Sequence, residues 1–187
     1  MKKHIVVWLL TVALLVVAWG VSKVTLPDDA TIAPFPVAAT LGEQSTTRNL
    51  AVTVTDARLA KRVTDAKGWS AEGSWLVVDL EAASVVTQEL STLTFAQLVI
   101  GDRTFSATDR GTTFLAQRLI TGVPRSGSLA FELPSDALAG SATLRLGVPS
   151  GAPGGEVLLD GMIEVPLLLD DLPVDAEVFL DENGWAR

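Results

Sequence analysis

Residues 50–55, LAVTVT, and residues 75–82, WLVVDLEA, carry the reading that decides the fold. In the first, Leu50, Val52 and Val54 alternate with Ala51, Thr53 and Thr55, the two-residue period of a strand with one face buried. In the second, Leu76, Val78, Leu80 and Ala82 point one way, while Asp79 and Glu81 point the other and predict a solvated face. Beyond Thr55 the phase slips, because Ala57 and Leu59 are the next apolar pair, and a bulge near Thr55–Asp56 accounts for the slip.

The same pattern continues along the chain. Residues 64–74 are rich in turn formers, and a strand at 95–100 leads through Gly101–Asp102 to a second at 103–107, which predicts a hairpin. Further strands are expected at 113–120, 128–133 and 142–148. Leu129, Phe131 and Leu133, then Leu144, Leu146 and Val148, form the inward sets of the last two. Residues 156–169 suit one or two more strands meeting near Asp160–Gly161, and Pro134 to Ala139 fit a single helical turn. Short strands at roughly ten-residue spacing predict an all-β fold, an antiparallel β-sandwich of about seven to nine strands over residues 48–169.

Toward the N-terminus the pattern changes. Residues 5–22, IVVWLLTVALLVVAWGVS, carry no charge. At about 1.5 Å per residue they make a helix of roughly 27 Å, long enough to cross a bilayer core. Lys2 and Lys3 precede the run, and Asp28 and Asp29 follow Lys23, so the positive-inside rule puts the N-terminus in the cytoplasm and the remainder outside. Trp19 falls where an indole favours the outer interface. Residues 1–23 are thus expected to be a single-pass signal anchor, with the lipid bilayer as partner of residues 5–22. The competing reading is a cleaved secretory signal, with Ala18 and Gly20 as small residues at the cleavage site and a mature chain starting near Val21. Residues 24–47, with Pro27, Pro34 and Pro36, are expected to form an extended tether, unless Ile32 to Val37 form a first edge strand.

Charge and composition exclude several function classes. Net charge is −8, and nine acidic side chains lie in residues 150–187 against Arg187 alone. With no basic stripe to replace phosphate counterions, nucleic-acid binding is not expected. Cysteine is absent and the one histidine is His4, so a thiolate centre, a cysteine nucleophile and a Ser-His-Asp triad beyond the N-terminus are excluded.

One resemblance emerges from the runs GSWLVVDLEAASV (73–85), FAQLVIGDRTFSA (95–107), GVPRSGSLAFELPSDA (122–137) and ATLRLG (142–147). The stretch 48–148 resembles a bacterial extracytoplasmic immunoglobulin-like domain family of unknown function, sometimes labelled telomeric-repeat-binding. The match holds at Gly101–Phe105 and Phe131–Pro134. It departs where Ala83–Ser84–Val85 stands for Asn-Thr-Gly and where Pro124–Arg125–Ser126–Gly127 loosens a Pro-Gly turn. The resemblance implies an immunoglobulin-like topology and no catalytic residue.

Among side chains able to carry function, Asp170, Asp171, Asp175 and the run Asp181 to Gly184 offer oxygens that suit calcium. The EF-hand spacing is absent, however, and Asn183–Gly184 equally reads as a type I′ turn. The expectation for residues 170–187 is therefore an acidic segment without a cofactor, either solvated, blunting one sheet edge, or docking a basic partner. Trp75 begins a strand and belongs to the core. Trp69 and Trp185, with Asp170 and Asp171, are the candidate partner contacts. Asp79 and Glu81 share the carboxylate pairing of a glycosidase but sit on one strand, and no enzyme activity is expected. The function read from sequence is a membrane-anchored, non-catalytic binding or assembly domain of a cell-envelope complex, with a secreted ligand-binding module as the alternative.

Overall fold

The computed structural model describes residues 2–24, 34–87, 91–150 and 158–186. Helix α1, Lys2–Val24, forms one unit and Pro34–Arg187 a second. Within α1 the window His4–Val21 has mean hydropathy 2.4 and is long and apolar enough to cross a membrane. Its one mid-helix hydroxyl, on Thr11, donates to the Val7 carbonyl at 2.9 Å, which hides the polar group within the helix itself.

The second unit is built from strands. Among the described residues nine have three or more residues: β1 Phe35–Ala38, β2 Gln44–Thr46, β3 Leu50–Thr64, β4 Ser70–Ser84, β5 Phe95–Ile100, β6 Arg103–Ser106, β7 Arg125–Leu133, β8 Ser141–Gly147 and β11 Gly161–Leu168. Five are two residues long: β9 Pro149–Ser150, β10 Leu158–Leu159, β12 Val174–Asp175, β13 Val178–Phe179 and β14 Gly184–Trp185. One sheet has the order β1-β11-β8-β5-β6. The other runs β12-β3-β4-β7-β14, with β2 and β13 also on β3, and β9 and β10 form a small ribbon.

The alternation in the sequence sets which faces meet. Leu50, Val52 and Val54 of β3, Leu76, Val78 and Leu80 of β4, and Leu129 and Phe131 of β7 pack in one cluster with residues of the other sheet. Those are Leu98 of β5, Leu144 and Leu146 of β8, and Ile163 and Val165 of β11. The two sheets therefore share a single apolar core. The phase slip is a real irregularity. The register jumps between Val54 and Asp56, which returns Ala57 and Leu59 to the core side. The β5–β6 hairpin turns at Gly101, whose φ of 60° costs a glycine nothing. A 3-10 turn follows β7 at Ser135–Ala137.

Four expectations need correction. Residues 34–47 are not an extended tether, because Phe35–Ala38 pairs in parallel with Gly161–Glu164, and Gln44–Thr46 pairs with Ala51–Thr53; residues 25–33 lie outside the described set. No strand forms over 113–120. There the Phe114 N–H donates to Ser128 O at 2.7 Å and the Leu119 N–H to Ser91 O at 2.8 Å, so successive bonds go to different neighbours and no ladder propagates. Ala116 also adopts φ 61°, which a regular strand cannot contain.

The acidic C-terminal segment is neither a free tail nor a cover for one edge alone. β12 and β13 pair with β3, and β14 pairs with β7, so both edges of that sheet receive backbone partners. Finally, Asp79 does not face solvent. Val178 and Leu180 pack with Trp75, Val77, Val63 and Ala130 in a second apolar cluster on the outer side of β4, and Asp79 lies buried on that side.

Phe131 is fully buried between the sheets. Replacing it with alanine should cost about 3–5 kcal/mol. In urea unfolding this is expected to appear as a lower midpoint with an unchanged slope.

Candidate functional site

The outer face of β4 gathers the polar groups that the sequence left scattered. Asp79 on β4 accepts from Arg58 Nη2 of β3 at 2.5 Å and from Ser128 Oγ of β7 at 2.5 Å. Ser128 Oγ in turn accepts from the Asp181 N–H at 2.8 Å, and Arg58 Nη1 reaches Asp56 at 2.5 Å. Three strands and the C-terminal segment thus meet at one carboxylate. Burial pushes the Asp79 carboxyl above its ordinary value. The Ser128 hydrogen bond and the Arg58 charge pull against that shift, and Asp181 and Asp56 add to it.

A second acid organises the β3–β4 turn. Asp65 accepts from the backbone N–H groups of Lys67 (2.9 Å) and Trp69 (2.8 Å) with one oxygen, and from Thr112 N–H (2.8 Å) with the other. Burial acts to raise its pKa, but the hydrogen bonds from Trp69, Thr112 and Lys67 together outweigh it, and the carboxyl sits below its ordinary value. Both buried acids are committed to holding the fold together.

The candidate contact residues fall in three places. Trp69 is half-buried, its ring meeting Trp75 edge-on with centroids 6.1 Å apart at 86°. Gly111 lies so close that a β-carbon there would come within 2.5 Å of the Trp69 ring. This indole is engaged inside the domain, and its pairing with Trp75 is completed by the Arg110 guanidinium 5.4 Å above the Trp75 ring. Trp185 on β14 is 62% exposed beside Arg125. Asp170 and Asp171 are exposed in a 3-10 turn after β11, where Asp170 caps the Gly140 N–H at 2.7 Å.

The structure does not bring these residues together. The start of β7 meets the end of β4 (Arg125 opposite Ala82), the end of β4 meets the start of β3, and Thr47 packs on Gly161 at the start of β11. Trp185 therefore stands at the end where β11 begins, and the two aspartates at the end where it finishes. Among the described residues no group of three or more His, Cys, Asp or Glu side chains is placed to hold a metal ion. An open groove of about 620 Å³ beside the 109–117 loop has Lys67 and Arg125 set against Asp109 and Glu182 on its walls. Its mixed charge selects no single ligand chemistry.

No family model, no curated protein and no solved structure matches the chain. Sequence reading missed Asp79, Arg58 and Ser128 as a unit. The available signal was the near-continuous apolar run 75–80, since a strand apolar on both faces is covered on both.

Removing the Ser128 hydroxyl strips a donor from Asp79 and an acceptor from the Asp181 N–H. Ser128→Ala should cost about 1–3 kcal/mol in chemical unfolding. The pH dependence has a defined sign. The folded pKa of Asp79 exceeds the unfolded value, so its stabilising contribution is complete below pH 3.8 and is lost as pH rises through the folded value. Asp79→Asn should lack that downward step, and the difference between the two unfolding midpoints measured across this range will test it.

Proposed function

We propose that this chain is a single-pass membrane protein that presents an immunoglobulin-like β-sandwich outside the cell membrane as a binding or assembly domain without chemistry of its own. The observation that carries the reading is the uncharged helix window His4–Val21 joined in one chain to a separate β unit. A helix apolar on every side suits a lipid environment, and its flanking lysines favour a cytoplasmic N-terminus. The resemblance of residues 48–148 to the bacterial extracytoplasmic immunoglobulin-like family supports the same topology and the same non-catalytic role.

The contact mode follows from the edges. In the sheet containing β3, β4 and β7, the outer side of β3 is covered in turn by β2, β12 and β13, and that of β7 is met by β14 at Arg125 and Ser126 and by the N–H groups of Phe114 and Thr108, which donate to Ser128 O and Ala130 O. In the other sheet β1 and β6 each pair on one side only. Pro36 removes a donor from β1, so β6 is the edge suited to receive a strand from a protein partner. The acidic segment is thereby assigned to edge protection.

Because the chain has no cysteine, a single Ser141→Cys reports topology without background. The protein is expected to stay in the membrane pellet after alkaline carbonate washing. Ser141→Cys is expected to react with a membrane-impermeant maleimide on intact cells. Labelling only after lysis would overturn the topology, and a released chain beginning near Val21 would establish the secreted alternative instead.

A further inference from the structure

Residues 172–186 lie along the outer side of the sheet as one extended segment. Val174 and Asp175 oppose Leu59 and Ala60, and Val178 and Phe179 oppose Val63 and Thr64, so a single parallel register runs through both short strands. The segment uses few of its side chains to stay there. From Val174 to Trp185 only Val178 and Leu180 are buried among its apolar residues, while Val174 and Phe179 are 63% and 65% exposed. Beneath it lie Ala60, Val63, Trp75, Val77 and Ala130, each buried. A segment held by two apolar side chains and short ladders belongs to the parts of a fold that open locally before the core does.

The seating is also incomplete. Buried polar atoms in folded proteins nearly always have partners, yet among the described residues Trp75 Nε1 and Asn183 Oδ1 have none. Both atoms belong to this one contact, Trp75 on the sheet and Asn183 on the segment. Trp75 is fully buried, so its indole N–H is a donor stripped of water with nothing to receive it. Gly73 stands beside that nitrogen, and a β-carbon there would lie 3.2 Å from Nε1. Gly73 lines an open groove of about 510 Å³ with Lys61 and Arg62 of β3 and with Ala176 and Glu177 of the segment. Ala176 offers no side-chain oxygen, and the Glu177 carboxylate is already engaged by Thr64 Oγ1 at 3.0 Å. The segment therefore covers the face without answering its one free donor.

We propose that residues 172–186 are a replaceable strap, and that the face beneath them binds an extended peptide of a protein partner. That peptide runs parallel to β3 and sets two apolar side chains where Val178 and Leu180 now lie. It carries an oxygen acceptor at the place of Ala176, within the groove that Gly73 opens beside the Trp75 indole. Its backbone replaces the N–H groups that Leu180 gives to Thr64 O and Asp181 gives to Ser128 Oγ, both at 2.8 Å. A second copy of this chain fits less well, because an identical segment leaves the same two atoms unfilled. The chain's own segment competes at a high effective concentration, so the face stays closed until a better occupant arrives. The inference rests on the non-catalytic binding role proposed above, is independent of the anchor, and adds a covered surface to the open β6 edge.

The test uses the full chain in detergent micelles with Thr64→Cys as its single cysteine. The probe is a synthetic peptide of residues 172–186 carrying Phe179→Cys, the register partner of Thr64. Paired strands bring such positions within disulfide range, so a glutathione buffer traps a peptide that has taken the strap's place. The adduct, read by mass spectrometry, is expected to exceed that of a scrambled peptide with the same cysteine. Adding Ala176→Gln to the probe should raise the capture equilibrium about two- to tenfold and move the Trp75 indole proton resonance. Adding Val178→Asp and Leu180→Asp should return capture to the scrambled level. Capture of the probes no better than the scrambled peptide overturns the strap and leaves the β6 edge as the binding surface. An Ala176→Gln probe that changes neither capture nor the indole resonance overturns the acceptor. Equally efficient disulfides between Thr64→Cys chains and Phe179→Cys chains, mixed without peptide, assign the face to a second copy and overturn the partner peptide.

Discussion

Strand β4 has to hide both of its faces, and the rest of the β unit is arranged around that requirement. Leu76, Val78 and Leu80 look into the core shared with the other sheet, while Trp75 and Val77 look outward. A one-sided sheet would leave the second set in water, at roughly 25 cal/mol for each Å² of apolar surface. Val178 and Leu180 remove that exposure. Because the covering segment comes from the chain's own C-terminal residues, burying the outer face and closing the sheet edges become one structural act. The segment that pairs with β3 through Val178 and Phe179 goes on to pair with β7 through Gly184 and Trp185.

The polar side of this arrangement explains why a carboxylate is tolerated there. Asp79 sits where the two-residue period would also place an apolar side chain, and its burial is costly unless its oxygens are filled. Arg58 and Ser128 fill them, and Ser128 transmits the connection to the backbone of Asp181. The network ties β3, β4, β7 and the covering segment at a single point. A purely apolar contact would allow the segment to slide along the face, whereas one charge with fixed partners specifies its position. Asp65 does comparable work at the β3–β4 turn, where its two oxygens join that turn to the loop at Thr112.

Legibility in the sequence followed the range of the interactions involved. The alternation at Leu50–Val54, the slip near Thr55, the Gly101 hairpin and the turn after Pro134 are local, and each is present in the structure. Trp75 in the core was equally readable from its place at the head of an apolar run. The misreadings all involve partners distant along the chain. Residues 113–120 look like a strand, but their hydrogen bonds divide between Ser91 and Ser128. The segment 170–187 reads as a solvated acidic tail because six acids are interspersed among its apolar residues, and no sustained period marks Val178 and Leu180 as the ones that fix its path. Asp79 reads as solvent-facing because alternation alone cannot tell whether a face is covered. The candidate contact residues shared this limit. Nothing local to Trp69 announces that Gly111 and Trp75 will enclose it, or that Trp185 and Asp170 will stand at opposite ends.

Covering the β3–β4–β7 sheet also decides which backbone edges stay unpaired. β3 is flanked by β2, β12 and β13, and β7 is met by β14 at Arg125 and Ser126 and by the loop at Phe114 and Thr108, so that sheet leaves little unpaired backbone at its edges. Its outer face is filled by Val178 and Leu180. Among the described residues, what remains open is the β1 and β6 edges of the other sheet, and of these β1 carries Pro36, which has no N–H to offer.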